Sequence, residues 1–290
     1  MPELPEVEVL ARHLAPLLTG RTIQDVEVRR PRVIRPTSER RLRSVLVGAR
    51  FTALTRRGKY LLFALKPEGG QPAVSLLGHL GMTGRMYLQP ADGRLAKHTA
   101  VVLCLGRENF VFEDTRYFGR LTLDVKALSA LGPEPLNADF TVTGFAAALK
   151  RSAQPIKVKL LDQSVVAGVG NIYASEALFR ARLSPRTAAR RLAVSRVERL
   201  WNSVREVLTE AIAFGSTVPM DWGGTGGGDG LFYYGRADGS ARSNSTPDSY
   251  YERLRVYDRE GRPCERCGAR IKRIVQSARS TFYCPRCQKM

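Results

Sequence analysis

Two cysteine pairs near the C-terminus constrain the fold more tightly than any other feature of the sequence. The pairs are Cys264-x-x-Cys267 and Cys284-x-x-Cys287, with sixteen residues between them. Four thiolates at this spacing are typical of a structural zinc site, in which they complete the tetrahedral coordination of the ion. Two disulfides are the alternative, which we disfavour because intracellular chains with paired CxxC elements rarely use them. The spacing therefore predicts a small zinc-binding module over residues 251–290.

The hydrophobic period of the preceding sequence changes twice, from helical to alternating and back to helical. An amphipathic helix is expected over Pro5–Leu18, and from Thr22 to about Val125 polar and apolar residues then alternate in short runs. Turn residues separate these runs at intervals of roughly ten residues, as in an antiparallel sandwich or barrel. The expected strands are Ile23–Val28, Arg50–Thr55, Tyr60–Leu65, Ala73–Leu80, Arg85–Leu88, Thr99–Leu105, Phe110–Glu113 and Leu121–Val125.

A segment with two prolines, Leu131-Gly-Pro-Glu-Pro-Leu136, ends this pattern, and a helical period follows. The expected helices are Phe145–Lys150, Ile156–Leu161, Ala174–Arg182 and Ser195–Phe214. The longest should begin with a capping box of Ser195 and Glu198 and end before Gly215. Residues 215–249 are rich in Gly, Ser, Asp and Asn, and we expect a long mobile loop there, either functional or simply disordered.

The charge balance of the whole chain narrows the class of partner. Lys and Arg number 46 against 27 Asp and Glu, which gives a formal net charge of +19. Such an excess indicates a polyanionic partner, with nucleic acid as the first candidate and an anionic membrane surface as the second. A generally basic solvated surface is the alternative. No apolar run approaches the ~20 residues that span a bilayer, and no apolar stretch follows a basic start, so we expect a soluble intracellular protein.

The first eight residues, Met1-Pro-Glu-Leu-Pro-Glu-Val-Glu8, allow chemistry at the chain terminus. Once Met1 is removed, Pro2 carries a free secondary amine, and model α-amino groups titrate near pKa ~8 against ~10.4 for lysine. At neutral pH the terminus is therefore better supplied with the unprotonated amine that acts as a nucleophile. The alternative is structural, because proline is tolerated in the first turn of a helix. On this stretch alone the structural interpretation is the stronger one.

A glycine-containing turn joins two of the expected helices, within Asp162-Gln-Ser-Val-Val-Ala-Gly-Val-Gly-Asn-Ile-Tyr-Ala-Ser-Glu176. Its Gly168-Val-Gly170 lacks the third glycine and the preceding strand of a dinucleotide-binding fingerprint. We interpret it as a turn that places Asn171 at the N-terminus of the helix over Tyr173–Arg182. There the amide and the free backbone N–H groups of the helix can hold a phosphate. An Asn N-cap without a ligand is the alternative.

Four motifs resemble one protein family in their order and spacing. They are Met1–Glu8, Leu160-Leu-Asp-Gln163, Ala167-Gly-Val-Gly-Asn-Ile-Tyr-Ala-Ser-Glu176 and, in the zinc module, Thr281-Phe-Tyr-Cys-Pro-Arg-Cys-Gln288. Together they extend over nearly the whole chain, which resembles formamidopyrimidine-DNA glycosylase. That is a bacterial-type base-excision-repair family with DNA glycosylase and abasic-site lyase activities. The opening Pro-Glu-Leu-Pro-Glu fits this branch better than the related endonuclease VIII branch.

The resemblance implies an α+β multidomain fold. An antiparallel β-sandwich with an N-terminal helix would occupy residues 1–131, and a linker would follow over 132–138. A helix–two-turns–helix domain would then extend over 139–250, including a long flexible loop at 215–250, before a β-hairpin zinc finger at 251–290. One zinc ion would be structural, because four thiolates leave no open position for water.

The resemblance also implies roles for individual residues. Pro2 would be the nucleophile that attacks the anomeric carbon of the damaged nucleotide, and Glu3 would act as acid and base. The implied catalytic residues are Pro2, Glu3, Lys59 and Arg279, and the implied zinc ligands are Cys264, Cys267, Cys284 and Cys287. The implied contacts with phosphates and with the DNA strand are Lys157, Asn171, Arg279 and His98. Met82, Arg116 and Phe118 would replace a flipped base, and Glu6 and Glu176 would be carboxylates near the lesion. Apart from the resemblance, Lys59 reads as a basic hairpin tip, and Met82 and Phe118 read as loop or core residues.

These roles lead to one main hypothesis and two alternatives. The main hypothesis is a bifunctional DNA glycosylase and abasic-site lyase that removes oxidised purines, 8-oxoguanine and formamidopyrimidines, and cuts the strand by β- and δ-elimination. We expect a monomer that acts on damaged double-stranded DNA, in the cytoplasm and associated with the nucleoid. The chain departs from the family at His98-Thr99-Ala100, where His-Asp-His is usual, and in a longer polar segment from about Met220 to Tyr250. These departures keep open an oxidised-pyrimidine glycosylase of the endonuclease VIII type and a non-catalytic damaged-DNA-binding protein.

Overall fold

The structure, a computed structural model, describes residues 1–69, 71–217, 220–221, 229–231 and 250–289. Within these ranges, no helix combines the length and the apolar character needed to cross a membrane. The chain forms two compact units. The first contains Met1–Pro2, Glu6–Ser129 and the described part of Gly215–Ser249, and the second contains Glu3–Pro5, Ala130–Phe214 and the chain from Tyr250 onward. The sequence had grouped the 215–250 loop with the helical domain, and the domain boundaries stay a prediction.

Antiparallel sheets build the first unit, and every strand expected from the alternating pattern is present. The strands are β1 (Asp25–Val28), β2 (Arg50–Arg57), β3 (Tyr60–Lys66), β4 (Val74–His79), β5 (Gly84–Pro90), β6 (Thr99–Cys104), β7 (Glu108–Asp114), β8 (Arg120–Thr122), β9 (Met220–Asp221) and β10 (Asp229–Leu231). One sheet has the order β1-β6-β7-β5-β10-β9 and the other the order β2-β3-β4-β8. Two parts of the predicted mobile loop are therefore strands, because β10 pairs with β5 and with β9. Residues 215–217 are also described, and the prediction for the remaining residues lies outside the described ranges.

The two sheets share one hydrophobic core, as a sandwich requires. Phe63 of β3 packs against Phe51 of the neighbouring strand, with ring centroids 6.1 Å apart. It also packs edge-on against Phe110 of β7 in the other sheet, at 5.5 Å. Alternate residues of β3 are buried, which is the pattern that the sequence showed. The predicted β-sandwich is confirmed.

Two helices pack on this core. The helix α1 (Leu4–Leu18) was expected, and it buries an apolar stripe from Val7 to Leu18. The helix α2 (Glu39–Leu46) was not expected, because most of its residues are charged or polar and only Leu42, Val45 and Leu46 are buried. Its N-cap is Ser38, whose hydroxyl accepts a hydrogen bond from the N–H of Arg41 at 3.2 Å.

The helices of the second unit are α3 (Val142–Lys150), α4 (Ile156–Leu161), α5 (Asn171–Arg180) and α6 (Val194–Ala213). The predicted capping box on α6 is wrong. The N-cap is Ala193, whose side chain accepts no hydrogen bond, and Ser195 lies inside the first turn. The predicted end of the helix is confirmed, because Gly215 follows Phe214 in the left-handed conformation, with φ of 71°.

The zinc-binding module contains a β-hairpin. Strand β11 (Lys272–Gln276) pairs antiparallel with β12 (Arg279–Tyr283), and Ser277 and Ala278 at the tip have φ of 47° and 57°. Two successive left-handed residues are what a tight two-residue hairpin turn requires. Ile271 and Phe282 form a small core with Phe179 of α5 and two of the cysteines. The predicted hairpin zinc finger is confirmed.

Candidate functional site

Glu3 caps the N-terminus of α5. Its Oε1 accepts a hydrogen bond from the N–H of Ile172 at 2.9 Å, and its Oε2 accepts one from the N–H of Tyr173 at 3.3 Å. The side chain is buried, and the following N–H, that of Leu4, donates to the Gly168 carbonyl at 3.0 Å. The N–H groups and the positive end of the helix dipole stabilise the carboxylate. The sequence had suggested that the backbone N–H groups at this helix terminus hold a phosphate. In the structure these two N–H groups are already bonded to Glu3.

The N-cap of α5 is Gly170, and its lack of a side chain makes room for Glu3. The φ of Gly170 is −132°, a value that other residues adopt without strain. A Cβ atom at this position would overlap the carboxyl group of Glu3. The glycine is thus required by its neighbour and not by its own backbone conformation.

Gln163 holds the turn that leads from α4 to α5. Its Nε2 donates to the carbonyls of Leu161 and Val169, at 3.0 and 2.9 Å, and its Oε1 accepts from the N–H of Gly168 at 2.9 Å. One side chain therefore pairs backbone N–H and C=O groups at both ends of the turn, and these groups need no partner in a helix or strand. The turn places Asn171 as the first residue of α5.

Lys157 of α4 lies fully buried beside Asn171. Its Nζ donates to Asn171 Oδ1 at 2.7 Å, to the Ser280 carbonyl at 3.1 Å and to Thr281 Oγ1 at 3.0 Å. The Nδ2 of Asn171 donates to the same Ser280 carbonyl at 2.9 Å. An ammonium group has three protons, so each one has a partner within the protein. A phosphate that binds Lys157 directly must replace one of these partners.

The environment also shifts the titration of Lys157. Burial lowers the pKa of its ammonium group to about 7, the Glu3 carboxylate acts in the opposite direction, and the Arg279 guanidinium adds to the lowering. Arg279 itself is exposed, as the first residue of β12 after the hairpin tip. Glu3, Lys157, Asn171 and Arg279 thus form one cluster, which we name the helix-terminus cluster.

Glu176 lies in a different environment from this cluster. Its Oε2 accepts from the N–H of Arg255 at 2.9 Å, and its Oε1 accepts from those of Val256 and Tyr257 at 3.0 and 2.8 Å. Burial raises the pKa of Glu176, and the three N–H donors act in the opposite direction. Its contacts join α5 to the segment before the zinc-binding module. Its predicted place near a damaged nucleotide stays a prediction.

The four paired cysteines fit one zinc ion. Their Sγ atoms all lie within 4.8 Å of one another, with Cys264 and Cys287 at 3.9 Å and Cys267 and Cys284 at 3.5 Å. A tetrahedron with Zn–S bonds of about 2.3 Å has S–S edges of about 3.8 Å. The distances therefore match the predicted four-thiolate site. The fifth cysteine, Cys104, is partly buried at the end of β6.

At the start of the first unit, Pro2 is buried while Met1 is 37% exposed. While Met1 is attached, the Pro2 nitrogen is an amide, so an amine forms only after its removal. Glu6 is also buried, and its Oε1 accepts from the N–H and the hydroxyl of Thr217 at 3.2 and 2.8 Å. In this structure Glu6 therefore ties α1 to the chain that follows α6, and a role toward a nucleotide stays a prediction.

Lys59 lies in the tight turn between β2 and β3. The turn consists of Gly58, with φ of 58°, and Lys59, because Arg57 pairs with Tyr60. Arg56 fixes it by donating to the Gly58 carbonyl at 3.0 Å and to Glu8 Oε2 at 2.8 Å. Burial raises the pKa of Glu8, but the Arg56 and Arg12 guanidinium groups outweigh it and lower that pKa. Lys59 is only 6% exposed, so it is not the solvated hairpin tip of the alternative interpretation.

Met82, Arg116 and Phe118 come together on neighbouring loops of the first unit. The Arg116 guanidinium lies 4.9 Å from the centre of the Phe118 ring, and its Nη1 is 3.4 Å from Met82 Sδ. The Phe118 ring is 46% exposed. An exposed aromatic beside a thioether and a guanidinium is the surface that the base-replacement role needs. We name these three residues the wedge cluster.

Asp114 holds the loops of the wedge cluster, and the sequence reasoning missed it. Its Oδ1 accepts from Thr83 Oγ1 at 2.5 Å and from the N–H of Arg116 at 3.1 Å, and its Oδ2 accepts from the N–H of Gly119 at 2.7 Å. The side chain is fully buried at the end of β7. One carboxylate thus fixes both loops. The only signal in the sequence was an acidic residue at the end of an apolar strand.

His79 supports the same loops from β4. Burial lowers the pKa of its imidazole to about 4, and the positive charges of Lys59 and Arg120 act in the same direction. The ring is therefore neutral at physiological pH, and its Nδ1 accepts a hydrogen bond from the N–H of Gly81 at 3.1 Å.

His98 contacts the loop between Arg116 and Phe118. Its Nδ1 lies 3.2 Å from the hydroxyl of Tyr117, which also accepts a hydrogen bond from Arg30 Nε at 3.2 Å. The Arg30 guanidinium lies 5.5 Å from the centre of the same ring. His98 is thus placed next to the wedge cluster, and its predicted contact with a DNA strand stays a prediction.

Family models match three parts of this chain. The formamidopyrimidine-DNA glycosylase N-terminal domain matches residues 1–121, and the formamidopyrimidine-DNA glycosylase H2TH domain matches residues 131–220. The zinc finger found in FPG and IleRS matches residues 261–289. Together these matches extend over most of the sequence, and their order is that of the sandwich, helical and zinc-binding parts.

Relatives and solved structures agree with the family models. The formamidopyrimidine-DNA glycosylase of Thermus thermophilus is 43% identical to this chain, over 99% of this chain and 98% of the relative. That of Chloroflexus aurantiacus is 40% identical over the same shares. The fold is similar to that of Lactococcus lactis Fpg in complex with DNA containing an abasic site, with a TM-score of 0.85, 30% identity and coverage of 99% and 100%. It is also similar to MutM in complex with DNA containing carbocyclic 8-oxo-G, with a TM-score of 0.84, 32% identity and full coverage of both chains.

Proposed function

This chain belongs to the formamidopyrimidine-DNA glycosylase family, and on that basis we propose that it excises oxidised purines from DNA and cleaves the strand at the resulting abasic site. Similar proteins have been captured with DNA that contains an abasic site, N7-benzyl-Fapy-dG or carbocyclic 8-oxo-G. The substrate class is therefore 8-oxoguanine and formamidopyrimidine lesions in double-stranded DNA. The net charge of +19 supports a polyanionic substrate.

The observation that carries the proposal is the fixed position of Glu3. This carboxylate follows Pro2 directly in the chain, and two backbone N–H groups of α5 hold it. A nucleophilic amine needs a base that removes its proton and an acid that returns one to the substrate. A carboxylate held beside the amine-bearing residue meets both needs.

In the proposed reaction the Pro2 nitrogen forms a bond to the C1′ of the damaged nucleotide, and the bond from C1′ to the base breaks as the departing base takes up a proton from water. Glu3 takes the amine proton and returns a proton to the sugar ring oxygen, so the ring opens and leaves a C1′ iminium. A secondary amine gives an iminium that is cationic at every pH and therefore draws electrons from C2′. Loss of a C2′ proton then expels the 3′-phosphate by β-elimination, and loss of the C4′ proton expels the 5′-phosphate by δ-elimination. Water then hydrolyses the iminium, which releases the sugar remnant and frees Pro2.

The remaining roles that we propose are those that the resemblance to the family implies. The wedge cluster fills the space of the extruded base, with Phe118 between base steps and Arg116 toward the unpaired base. Lys59, Lys157, Asn171 and Arg279 contact phosphates around the lesion, and Lys157 does so by exchanging one of its partners within the protein. The zinc ion is structural, since its four thiolate ligands leave no position for a reacting water.

Borohydride trapping tests the nucleophile. With a duplex containing 8-oxoguanine, protein that has lost Met1 should give a covalent enzyme–DNA adduct, because borohydride reduces the iminium. The same sequence with Met1 retained is a matched control and should give none, since its Pro2 nitrogen is an amide. Pro5→Ala should still give the adduct. Equal trapping with and without Met1 would remove Pro2 from the mechanism.

Glu3→Gln separates chemistry from binding. The variant keeps one oxygen for a helix N–H but cannot exchange protons, so base release at saturating enzyme should fall by about 10²- to 10⁴-fold. Binding of a duplex with a stable abasic analogue should change little. An unchanged rate of base release would contradict the role given to Glu3.

The two alternatives are tested with the same protein. Faster release of thymine glycol than of 8-oxoguanine would indicate an oxidised-pyrimidine glycosylase. Tight binding without strand cleavage by protein lacking Met1 would indicate a non-catalytic damage-binding protein. Neither outcome is expected, because the residues assigned to the nucleophile, the proton transfer and the base replacement are all present in the chain.

We also propose that the protein associates with chromosomal DNA in the cytoplasm. A basic protein that searches for rare lesions binds undamaged DNA through phosphate contacts, and this binding weakens as salt rises. The protein should therefore sediment with the nucleoid at low salt and leave it at high salt. Its absence from the low-salt nucleoid fraction would contradict this localisation.

A further inference from the structure

One short segment of the first unit is unusually rich in arginine. The fifteen residues from Arg29 to Arg43 contain seven arginines, a single acidic residue, Glu39, and no lysine. The segment includes a 3-10 helix over Pro31–Ile34 and most of α2. The function proposed above assigns it no role.

Three of these arginines already have partners. Arg29 forms an ion pair with Glu27 at 3.4 Å, and Arg43 forms one with Asp25 at 2.6 Å. Arg30 is bound to Tyr117. The other four are exposed, and within the part of the chain that the structure describes none of them forms an ion pair. We name these four the arginine surface: Arg32, Arg35, Arg40 and Arg41.

The segment is fixed to the loop of the wedge cluster at two places. Arg30 holds the side chain of Tyr117, which lies between Arg116 and Phe118 in the sequence. Thr37 bonds through its hydroxyl to the hydroxyl of Thr122 at 2.8 Å and to the N–H of Leu123 at 3.1 Å. These two residues lie in and just after β8, which begins directly after that loop. The segment therefore starts beside the wedge loop at Tyr117 and continues along β8, so that Arg41 lies near Val74 and Val125 at the far end of the β4/β8 pair.

We propose that the arginine surface is a second DNA-binding site, which binds backbone phosphates of the duplex flanking the lesion on the side of the wedge cluster. The proposal rests on the proposed function in taking DNA as the ligand. Guanidinium groups suit phosphates, because their planar donors match two oxygens at once and stay charged at every physiological pH. Four of them at a fixed place contribute affinity and register without reading the base sequence.

A membrane surface fits this segment less well than DNA does. A basic helix that binds a bilayer inserts an apolar face into the lipid. The apolar residues of α2, Leu42, Val45 and Leu46, are instead buried in the sandwich core. The segment thus offers charge without an insertable face, and binding to anionic lipid vesicles serves as an outcome that would contradict the proposal.

The test is the salt dependence of DNA affinity. The double variants Arg32→Ala/Arg35→Ala and Arg40→Ala/Arg41→Ala each remove two charges from the arginine surface. The matched control, Arg94→Ala/Arg107→Ala, removes two exposed charges at the other end of β5 and β7, where Pro90 pairs with Glu108. That end lies about 20 Å along the strand from Asp114. The probe is a long duplex with a tetrahydrofuran abasic analogue, measured between about 50 and 200 mM salt.

Each phosphate contact contributes about −0.9 to the slope of log affinity against log salt. Each double variant should therefore reduce the magnitude of the slope by about 1 to 2, and the control should leave it unchanged. Shortening the duplex on the flank next to the wedge cluster should reduce the slope of the wild type more than that of either double variant, because each variant keeps only two of the four arginines. Arg32→Lys/Arg35→Lys should keep most of the slope, because the charges remain.

The outcomes distinguish this proposal from the proposed function. If wild type and both double variants give the borohydride adduct at saturating enzyme while their salt slopes are equal, the arginine surface is not a DNA site and the enzyme function stands. If the wild type gives no adduct, the proposed function fails whatever the slopes are. Weaker binding of the variants to anionic vesicles, with unchanged DNA slopes, would assign the surface to a membrane.

Discussion

The wedge cluster and the helix-terminus cluster present their contact groups in opposite ways. Phe118 of the wedge cluster is 46% exposed, whereas Lys157 of the helix-terminus cluster is fully buried. The wedge loops donate their hydrogen bonds to one carboxylate at the end of the adjoining strand, Asp114. Lys157 bonds instead to Ser280 and Thr281 of the zinc-binding hairpin. One cluster is thus supported locally, and the other depends on a module that a metal ion organises.

Because the wedge cluster is exposed and Lys157 is buried, we expect the two clusters to bind DNA in different ways. An exposed ring on a fully bonded loop can enter a duplex without breaking any bond inside the protein. A buried ammonium group with three partners binds a phosphate only by exchanging one of them, so its contribution is the difference between two sets of hydrogen bonds. The wedge cluster should therefore respond to changes in its own loop, and the helix-terminus cluster to zinc and to pH.

Removal of zinc should have the largest effect, and it should disrupt the helix-terminus cluster but not the wedge cluster. Structural zinc contributes on the order of 10 kcal/mol to the folding of small zinc modules. Chelation should therefore unfold the hairpin, free Lys157 from two of its partners and abolish DNA binding. Hydrogen exchange measured by mass spectrometry should show lost protection over residues 272–283 and none lost over 111–120. Loss over both regions would show that the wedge loops also depend on the metal.

Asp114→Asn should disrupt the loops of the wedge cluster. The amide cannot accept on both sides, so it leaves one backbone N–H facing a donor, and the free energy of unfolding should fall by about 2 to 3 kcal/mol. Urea denaturation measures this loss, and the fluorescence of a 2-aminopurine beside the lesion measures the opening of the duplex.

The matched control for Asp114→Asn is Asp124→Asn. Asp124 accepts a single N–H, that of Lys126 at 3.0 Å, and is partly exposed. Its loss should cost less than about 1 kcal/mol. Equal losses for the two variants, or normal duplex opening by Asp114→Asn, would mean that the wedge loops do not rest on Asp114.

The pH dependence of DNA affinity should give the smallest effect and sharpen the comparison. The pKa of Lys157 in the free protein is about 7, and a bound phosphate stabilises the ammonium form and raises it. Binding then takes up a proton above pH 7 and none well below it. Log affinity should therefore fall as pH rises above about 7, with a slope that approaches −1 per pH unit.

Two variants show whether that slope belongs to Lys157. Lys157→Met should bind more weakly and lose the slope, because no group remains to take up the proton. Lys159→Met, on the same helix, removes a lysine that is ion-paired with Asp162 at 2.7 Å and should keep the slope. A slope that survives in Lys157→Met would place the proton uptake elsewhere.

Local sequence patterns predicted most of the elements. Alternation identified the strands of the sandwich because each strand buries one face, as β3 does. The cysteine spacing identified the metal site because the chemistry of the ligands sets it. Helix α2 was missed because its burial depends on three apolar residues among charged ones. Asp229–Leu231 was missed as a strand because its pairing with β5 uses backbone groups, which carry no side-chain signal.

Sequence motifs identified most residues of the candidate site, but they did not predict the hydrogen bonds between them. Glu3 bonds to backbone groups 169 and 170 residues away, and no periodic pattern connects such distant positions. Asp114 was interpreted as an ordinary residue at the end of a strand. Its role depends on the N–H groups of Arg116 and Gly119, which reach its carboxylate only in the folded chain. Lys157 was expected to face a phosphate, and only the fold shows that Asn171, Ser280 and Thr281 engage it first.

The bare N-cap of α5 sets the mutational tolerance of the chain terminus. The backbone at Gly170 would accept any residue, so a helix-propensity argument predicts that alanine there is harmless. Yet the smallest side chain would occupy the volume of the Glu3 carboxyl group. In a saturation library, position 170 should therefore behave as though it were part of the N-terminus, with every substitution scoring as a loss of proton transfer in a protein that folds normally.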